Sequence, residues 1–350
     1  MSDNNIIEQH KAPALDVRDL QVEFDAQGGV VKAVRGVSFS VNPGETLGIV
    51  GESGCGKSVT MMSVMGLIPM PPGRIVGGSA KLNGRELLGL PLRELNNIRG
   101  AEIGMVFQDP MSALNPTMRI GEQIAETLMI HRGIGKTEAL KRAVELLERT
   151  KIPEAAKRAR QYPFEFSGGM LQRAVIAMSL ACNPSVLIAD EPTTALDVTI
   201  QNQVLELMRE IQREEGMAIV LITHDLGVVA RMADHVTVMY AGQVVESGTV
   251  DDIFYRSAHP YTLGLKEAMP SAEMHVEQKL TAIAGSPPDL FAPPAGCGYC
   301  NRCNHALNIC DKLGPELIAV GEGHHSRCWL QHAQAKREVA ELYQGSKRAC

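Results

Sequence analysis

Gly51-Glu-Ser-Gly-Cys-Gly-Lys-Ser58 packs three glycines, a lysine and a serine hydroxyl into eight residues. Glycines at 51, 54 and 56 let the backbone turn so that successive N–H groups face one anion. Lys57 reaches the outer phosphates of a nucleotide, and the hydroxyl of Ser58 suits Mg2+. Ser53, Cys55 and Val59 complete the nucleotide-contacting run. The flanks agree with this reading. Thr46-Leu-Gly-Ile-Val50 reads as a buried strand, and Val59, Met62, Met65 and Gly66 recur at helical spacing until Pro69. The helix N-terminus adds a positive dipole end beneath the phosphates. Strand, glycine loop and helix in that order predict an α/β fold that binds ATP or GTP.

Outward from this loop the alternation continues. Leu20-Gln-Val-Glu-Phe24 and Val37-Ser-Phe-Ser-Val41 flank Gly28-Gly29, which predicts antiparallel strands and a hairpin. From Pro110 to about Tyr162 the pattern turns helical, with Leu140, Ala143, Val144 and Leu147 on one face. Ile200 to Arg213 predicts another amphipathic helix, with Val204, Leu207, Met208 and Ile211 inward. Ser185-Val-Leu-Ile-Ala-Asp190 is an apolar strand ending in a carboxylate, as a Mg2+ ligand requires. Strands alternating with helices imply a mostly parallel sheet covered on both faces.

Two further stretches, Ser167-Gly-Gly-Met-Leu-Gln172 and the Asp190-Glu191 step eighteen residues past Gln172, complete a pattern that resembles the ATP-binding cassette (ABC) ATPases. The resemblance implies a RecA-like core with an antiparallel β subdomain and an α-helical subdomain at about 110–166. It implies that Glu191 orients or deprotonates the attacking water, that Gln108 senses Mg2+ and that water, and that His224 contacts the γ-phosphate. Ser58, Gln108 and Asp190 are the implied Mg2+ contacts. Ala195-Leu-Asp197 matches the loop that crosses the family's dimer interface. Ser167, Gly168 and Gly169 would face ATP held by the phosphate loop of a second subunit. Phe24 stands where the family stacks an aromatic on adenine, although tyrosine is usual there. The signature segment also departs, reading Phe166-Ser-Gly-Gly-Met170 where many relatives have Leu-Ser-Gly-Gly-Gln.

At 350 residues the chain can bury a large core, and its net charge of −6 without a long Lys/Arg run argues against a dedicated nucleic-acid binder. No apolar run approaches the ~20 residues that span a bilayer. Residues 1–13 read as a flexible tail, 14–257 as the ATPase domain and 258–350 as an extension. Ala258-His-Pro-Tyr-Thr262, Gly285-Ser-Pro-Pro-Asp289 and the cysteines after Ala295 resemble the extension of oligopeptide and dipeptide importer ATPases. That resemblance implies a motor subunit on the cytoplasmic face of the inner membrane, peripheral to it. Its partners would be two transmembrane permease subunits, a second ATPase subunit (a paralogue in a heterodimer) and, through the complex, an external solute-binding protein. Nickel and glycoside importers share the branch. A soluble ABC ATPase acting on nucleic acid is the reading from another class, and a regulatory sensor is an alternative role for the cysteine module.

Five of the eight cysteines fall between 297 and 328. Cys297, Cys303, Cys310 and Cys328 are separated by five, six and seventeen residues. This spacing is that of the peptide-importer branch, where it implies a [4Fe–4S] cluster held by four thiolates. Cys300 is an extra thiol that makes the ligand choice ambiguous and leaves Zn2+ open, as well as free thiols. The region is rich in Pro, Gly and His and poor in apolar runs, so it is expected to bury little by itself.

Overall fold

The computed structural model describes residues 12–194, 196–268, 283–333 and 335. Ala195 of the predicted interface loop and the first eleven residues lie outside them. An antiparallel sheet has the order β2-β1-β4-β5, from β1 (Leu15–Ala26), β2 (Gly29–Val41), β4 (Gly73–Leu82) and β5 (Arg85–Glu86). A second sheet of eight strands runs β11-β12-β10-β9-β3-β8-β7-β6. Its members are β3 (Thr46–Val50), β6 (Ile103–Val106), β7 (Val186–Asp190), β8 (Ala218–Thr223), β9 (His235–Tyr240), β10 (Gln243–Thr249), β11 (Ile318–Gly321) and β12 (His324–Ser326). The pairs from β9 through β3, β8 and β7 to β6 are parallel.

The central strands are apolar throughout because both faces are covered, and their alternation divides two cores. Leu187 and Ala189 of β7 and Ile219 and Leu221 of β8 join the core of the helical subdomain. Val186, Ile188, Val220 and Ile222 face the other way, into a core shared with Leu15, Val17 and Val34 of the antiparallel sheet. Successive side chains on a strand point to opposite faces, so five residues serve two layers.

Most predicted elements form, with local differences. The helix after the phosphate loop is Lys57–Val64 and ends at Met65 and Gly66, short of Pro69. It buries Thr60, Met61 and Val64, while Val59 and Met62 are half-buried. The predicted stripe is one residue out because this helix is covered on more than one side. The Lys136–Arg149 helix buries Ala139, Ala143 and Leu147, with Leu140 and Val144 packed at the margin. Pro110–Ala113 forms one helical turn with Pro at its start and Asp109 accepting from the Met111 amide.

The extension is less separate than its composition suggested. β12 pairs with β10, placing Glu246 opposite Ser326, so the hairpin β11–β12 prolongs the main sheet. Tyr261 and Tyr299 pack with Val236, Val238 and Tyr240 in a third core. Beneath it Glu246, fully buried, accepts hydrogen bonds from the Ala258 and His259 amides at 2.6 and 3.0 Å and lies 2.8 Å from His324 Nε2. A buried carboxylate with three partners is costly to delete, because the partners are then left unpaired. Glu246→Ala is expected to lose about 2–4 kcal/mol. Urea unfolding should show a lower midpoint, and limited proteolysis should cut first in the extension.

Candidate functional site

Four adjacent parallel strands end side by side, and each carries part of the site at its carboxyl end. Val50 lies opposite Thr223, Asp190 opposite Ile222, and Val106 opposite Ala189. The phosphate loop follows β3, Asp190 and Glu191 follow β7, His224 follows β8 and Gln108 follows β6. A crevice beyond the carboxyl ends of parallel strands is where open α/β sheets bind ligands.

The loop itself is tightly seated. A Cβ on Gly51 would lie 2.2 Å from the Met239 carbonyl oxygen, and one on Gly56 would lie 2.6 Å from that of Ala33. Lys57 is buried and its Nζ donates to the carbonyls of Gly51 and Glu52 at 2.7 and 3.0 Å. Ser58 Oγ donates to Asp190 Oδ1 at 3.0 Å. Burial pushes the Asp190 carboxyl upward, as does Glu191, while Ser58 and Lys57 pull it down. Burial likewise raises the Cys55 thiol, against the pull of Lys57.

Glu191 is the hub. Gln108 Nε2 donates to its Oε2 at 3.0 Å, the Thr194 hydroxyl donates to the same oxygen at 2.9 Å, and His224 Nδ1 lies 3.2 Å from Oε1. Its backbone leaves β7 in the left-handed region, with φ +48°, and its amide donates to the Ile222 carbonyl at 2.9 Å. Asp190 and Glu191 are adjacent in sequence, yet this turn sends one toward Ser58 and the other toward Gln108 and His224.

Ser167, Gly168 and Gly169 are elsewhere. Ser167 stands at the N-cap position of the Gly168–Ser179 helix without a side-chain capping bond, and with its two glycines it lines an open cleft of about 510 Å3 beside Leu196, Asp197 and Gln203. No phosphate-loop residue lines that cleft. Phe24 is half-buried on β1, opposite Val31 and Gly73.

Of the predicted ligand set, Cys297 and Cys303 pack against the third core, and the Cys297 amide donates to the Cys310 carbonyl at 2.7 Å. Burial, then the charges of Cys310, Cys303 and Cys300, push the Cys297 thiol up to about 11. Burial, with Cys297, Cys303 and Cys310 nearby, pushes Cys328 up to about 12. Two of the sulfurs accept a backbone N–H, Cys303 from His305 and Cys310 from Leu307, both at 3.4 Å. Burial, with the charges of Cys310 and Asp311, raises the Cys300 thiol. Among the described residues no three His, Cys, Asp or Glu side chains surround a point closely enough to hold a single metal ion.

Sequence reasoning missed three groups at the loop. Thr194 lies beside Glu191, Tyr261 accepts from the Glu52 amide at 2.8 Å, and Arg302 pairs with Glu52 through two hydrogen bonds of 2.7 and 2.9 Å. The last two are brought in from more than 200 residues away; Tyr261 lies in the Ala258–Thr262 stretch noted above, but its contact with the loop has no local signal, and neither has Arg302.

Comparison with known proteins agrees with this geometry. Residues 34–194 match the ABC transporter family model, and residues 245–310 match that of the oligopeptide/dipeptide transporter C-terminal region. The chain is 55% identical to the oligopeptide transport ATP-binding protein OppD of Bacillus subtilis, over 92% of this chain and 90% of that one. It is 50% identical to the dipeptide transport ATP-binding protein DppD of the same organism, covering 93% and 97%. Among solved structures it resembles a dimeric ATP-binding cassette in a post-hydrolysis state with ADP and Pi, with TM-score 0.61, 28% identity and coverage of 67% and 98%.

The close approach at Gly51 gives a ranked expectation. Gly51→Ala must displace the Met239 backbone, whereas a Cβ on Gly54 meets nothing within 4 Å and faces only the strain of φ +79°. Thermal unfolding without nucleotide should show Gly54→Ala losing about 1–2 kcal/mol. Gly51→Ala should lose more, and equal losses would contradict this seating of the loop.

Proposed function

This chain belongs to the ATP-binding subunits of the oligopeptide and dipeptide ABC transporters, and we propose that it is the ATP-hydrolysing motor driving uptake of such peptides through a membrane permease. The convergence of Gln108 and His224 on Glu191, beside the loop of Lys57, carries the catalytic part of this reading. The match of the C-terminal region supports peptides over nickel, glycosides or nucleic acid as the object of the work. No described helix is long and apolar enough to cross a membrane, and on this reading two separate permease subunits span it. The motor would bind that pair from the cytoplasmic face.

In the mechanism we propose, Lys57 and the loop amides bind the β- and γ-phosphates. The hydroxyl of Ser58 and the carboxylate of Asp190, already 3.0 Å apart, fit neighbouring positions around one Mg2+, with Gln108 beside them. When bound, that ion neutralises charge on the phosphates. Glu191 accepts the proton of the attacking water, and Gln108 and His224 hold its carboxylate in place. Phe24 lies on the antiparallel sheet as a stacking face for adenine.

Ser167, Gly168 and Gly169 belong, on this reading, to the ATP bound by a second subunit. Their cleft opens at a helix N-terminus, away from the loop of their own chain, and presents backbone donors to an anion. The partner would be a paralogue in a heterodimer, with Asp197 at the seam and a solute-binding protein outside the membrane. Closure around ATP would move the short Pro110–Ala113 turn, where Met111 is exposed, against the permease. ATP drives this only through its higher affinity for the closed pair.

We assign Cys297, Cys303, Cys310 and Cys328 to one [4Fe–4S] cluster. Cys297 and Cys303 lie against one core, the Cys297 amide donates to the Cys310 carbonyl at 2.7 Å, and Cys303 and Cys310 each accept a backbone N–H, which supports a thiolate-held cluster. Zn2+ is the alternative for the same thiols. Cys300, the extra thiol in the first interval, falls outside the set by its spacing. The raised thiols must lose their protons as the cluster binds, which ties loading to pH.

Two expectations follow from these assignments. Glu191→Gln keeps the hydrogen bonds but removes the base, so turnover should fall by about 10²–10⁴ while ATP still binds. Single-turnover assays alongside equilibrium binding check this, and near-normal turnover would remove Glu191 from the chemistry. Protein purified without oxygen should be brown, with about four irons and four sulfides per chain. Serine at Cys303 or Cys310 should bleach it and serine at Cys300 should not. Colourless anaerobic protein with one zinc would leave the zinc assignment instead.

A further inference from the structure

Glu52, the second residue of the phosphate loop, is held at every polar group it has. Its amide donates to the Tyr261 hydroxyl at 2.8 Å and its carbonyl accepts from Lys57 Nζ at 3.0 Å. Its carboxylate meets the Arg302 guanidinium in a two-point pair of 2.7 and 2.9 Å. The Arg302 side chain is only 5% exposed, and the residue ends the turn Cys300–Arg302, next to Cys303. Its remaining donors reach the Ala284 and Ile283 carbonyls at 2.9 and 3.2 Å and the Tyr240 hydroxyl at 3.2 Å. It also lies over the rings of Tyr240 and Tyr299. The guanidinium is therefore fully used and has one orientation.

A carboxylate in a loop that must accept a triphosphate is electrostatically adverse unless a cation cancels it. Arg302 supplies that cation, and a planar fork on a carboxylate also fixes position. Tyr261, on the Pro260–Glu267 helix of the same extension, fixes the amide beside it.

We propose that Arg302 and Tyr261 are positioning residues for the phosphate loop, and that through them the cysteine module sets the loop's affinity for ATP. The Glu52–Arg302 pair stands on its own geometry; that metal loading of the module is what is sensed rests on the cluster assignment above. Linkage makes the effect reciprocal: a loaded module favours ATP, and bound ATP retains the cluster.

The test uses the full chain, purified anaerobically, and the dissociation constant of a fluorescent ATP analogue with Mg2+. Arg302→Ala should weaken binding about tenfold. Adding Glu52→Gln should recover most of that loss, because the uncompensated carboxylate is gone; a general loss of fold would not be recovered. Arg302→Lys, which keeps the charge without the fork, and Tyr261→Phe should each weaken binding about threefold, and they carry the test if Arg302→Ala does not fold. In the wild type, saturating ATP should slow the decay of the cluster's visible absorption under an iron chelator, and Arg302→Ala should abolish that protection. Wild-type affinity in all these variants would overturn the proposal. Brown protein whose decay ignores ATP would overturn the link to the module. Colourless protein with weakened, Glu52→Gln-rescued binding would remove the cluster and leave the positioning role standing.

Discussion

The parallel register of β6, β7, β8 and β3 is the constraint from which the rest follows. Because the strands end together, groups from residues 51–58, 108, 190–191 and 224 meet without long connecting arms. The same register sorts Leu187 and Ala189 from Val186 and Ile188 into separate cores. A slip of one residue in β7 would exchange those sets and turn Asp190 away from Ser58. Packing and catalysis thus depend on one alignment, and neither can shift without the other.

That alignment also explains how the extension is attached. β10 turns back antiparallel after β9 and offers its free side to β12, so the added hairpin inherits the orientation of the catalytic sheet. The aromatic group of Tyr240, Tyr261 and Tyr299 fills the angle between them, with ring centroids 4.6–5.3 Å apart. Contacts of this kind transmit position because a packed core has few alternative arrangements.

The elements with strong local signals were legible in the sequence. The glycine loop, the apolar run to Asp190 and the run from Ala218 to Thr223 announce themselves by composition, and the hairpin at Gly28-Gly29 by its turn. The helical stripe after Lys57 was not legible to the residue, since a short helix covered on several sides shows no clean period. The attachment of the extension was invisible for a different reason. His324, Glu246 and Asp252 are scattered along the chain and become neighbours only when β12 joins the sheet. Arg302 carries no local signal, because its meaning depends on a carboxylate 250 residues earlier. Sequence spacing alone could not choose among five cysteines, because a ligand set depends on how the fold gathers the thiols.

Glu191 takes its left-handed backbone at a position where a side chain is costly, on the order of 1–3 kcal/mol for such an outlier. Glycine would relieve that strain and remove the carboxylate in the same step. The chain therefore holds a less stable residue where stability alone would select another. With the role proposed for Glu191, it is a local conflict between folding and turnover, confined to one bond rotation, and the surrounding strands must be stable enough to absorb it.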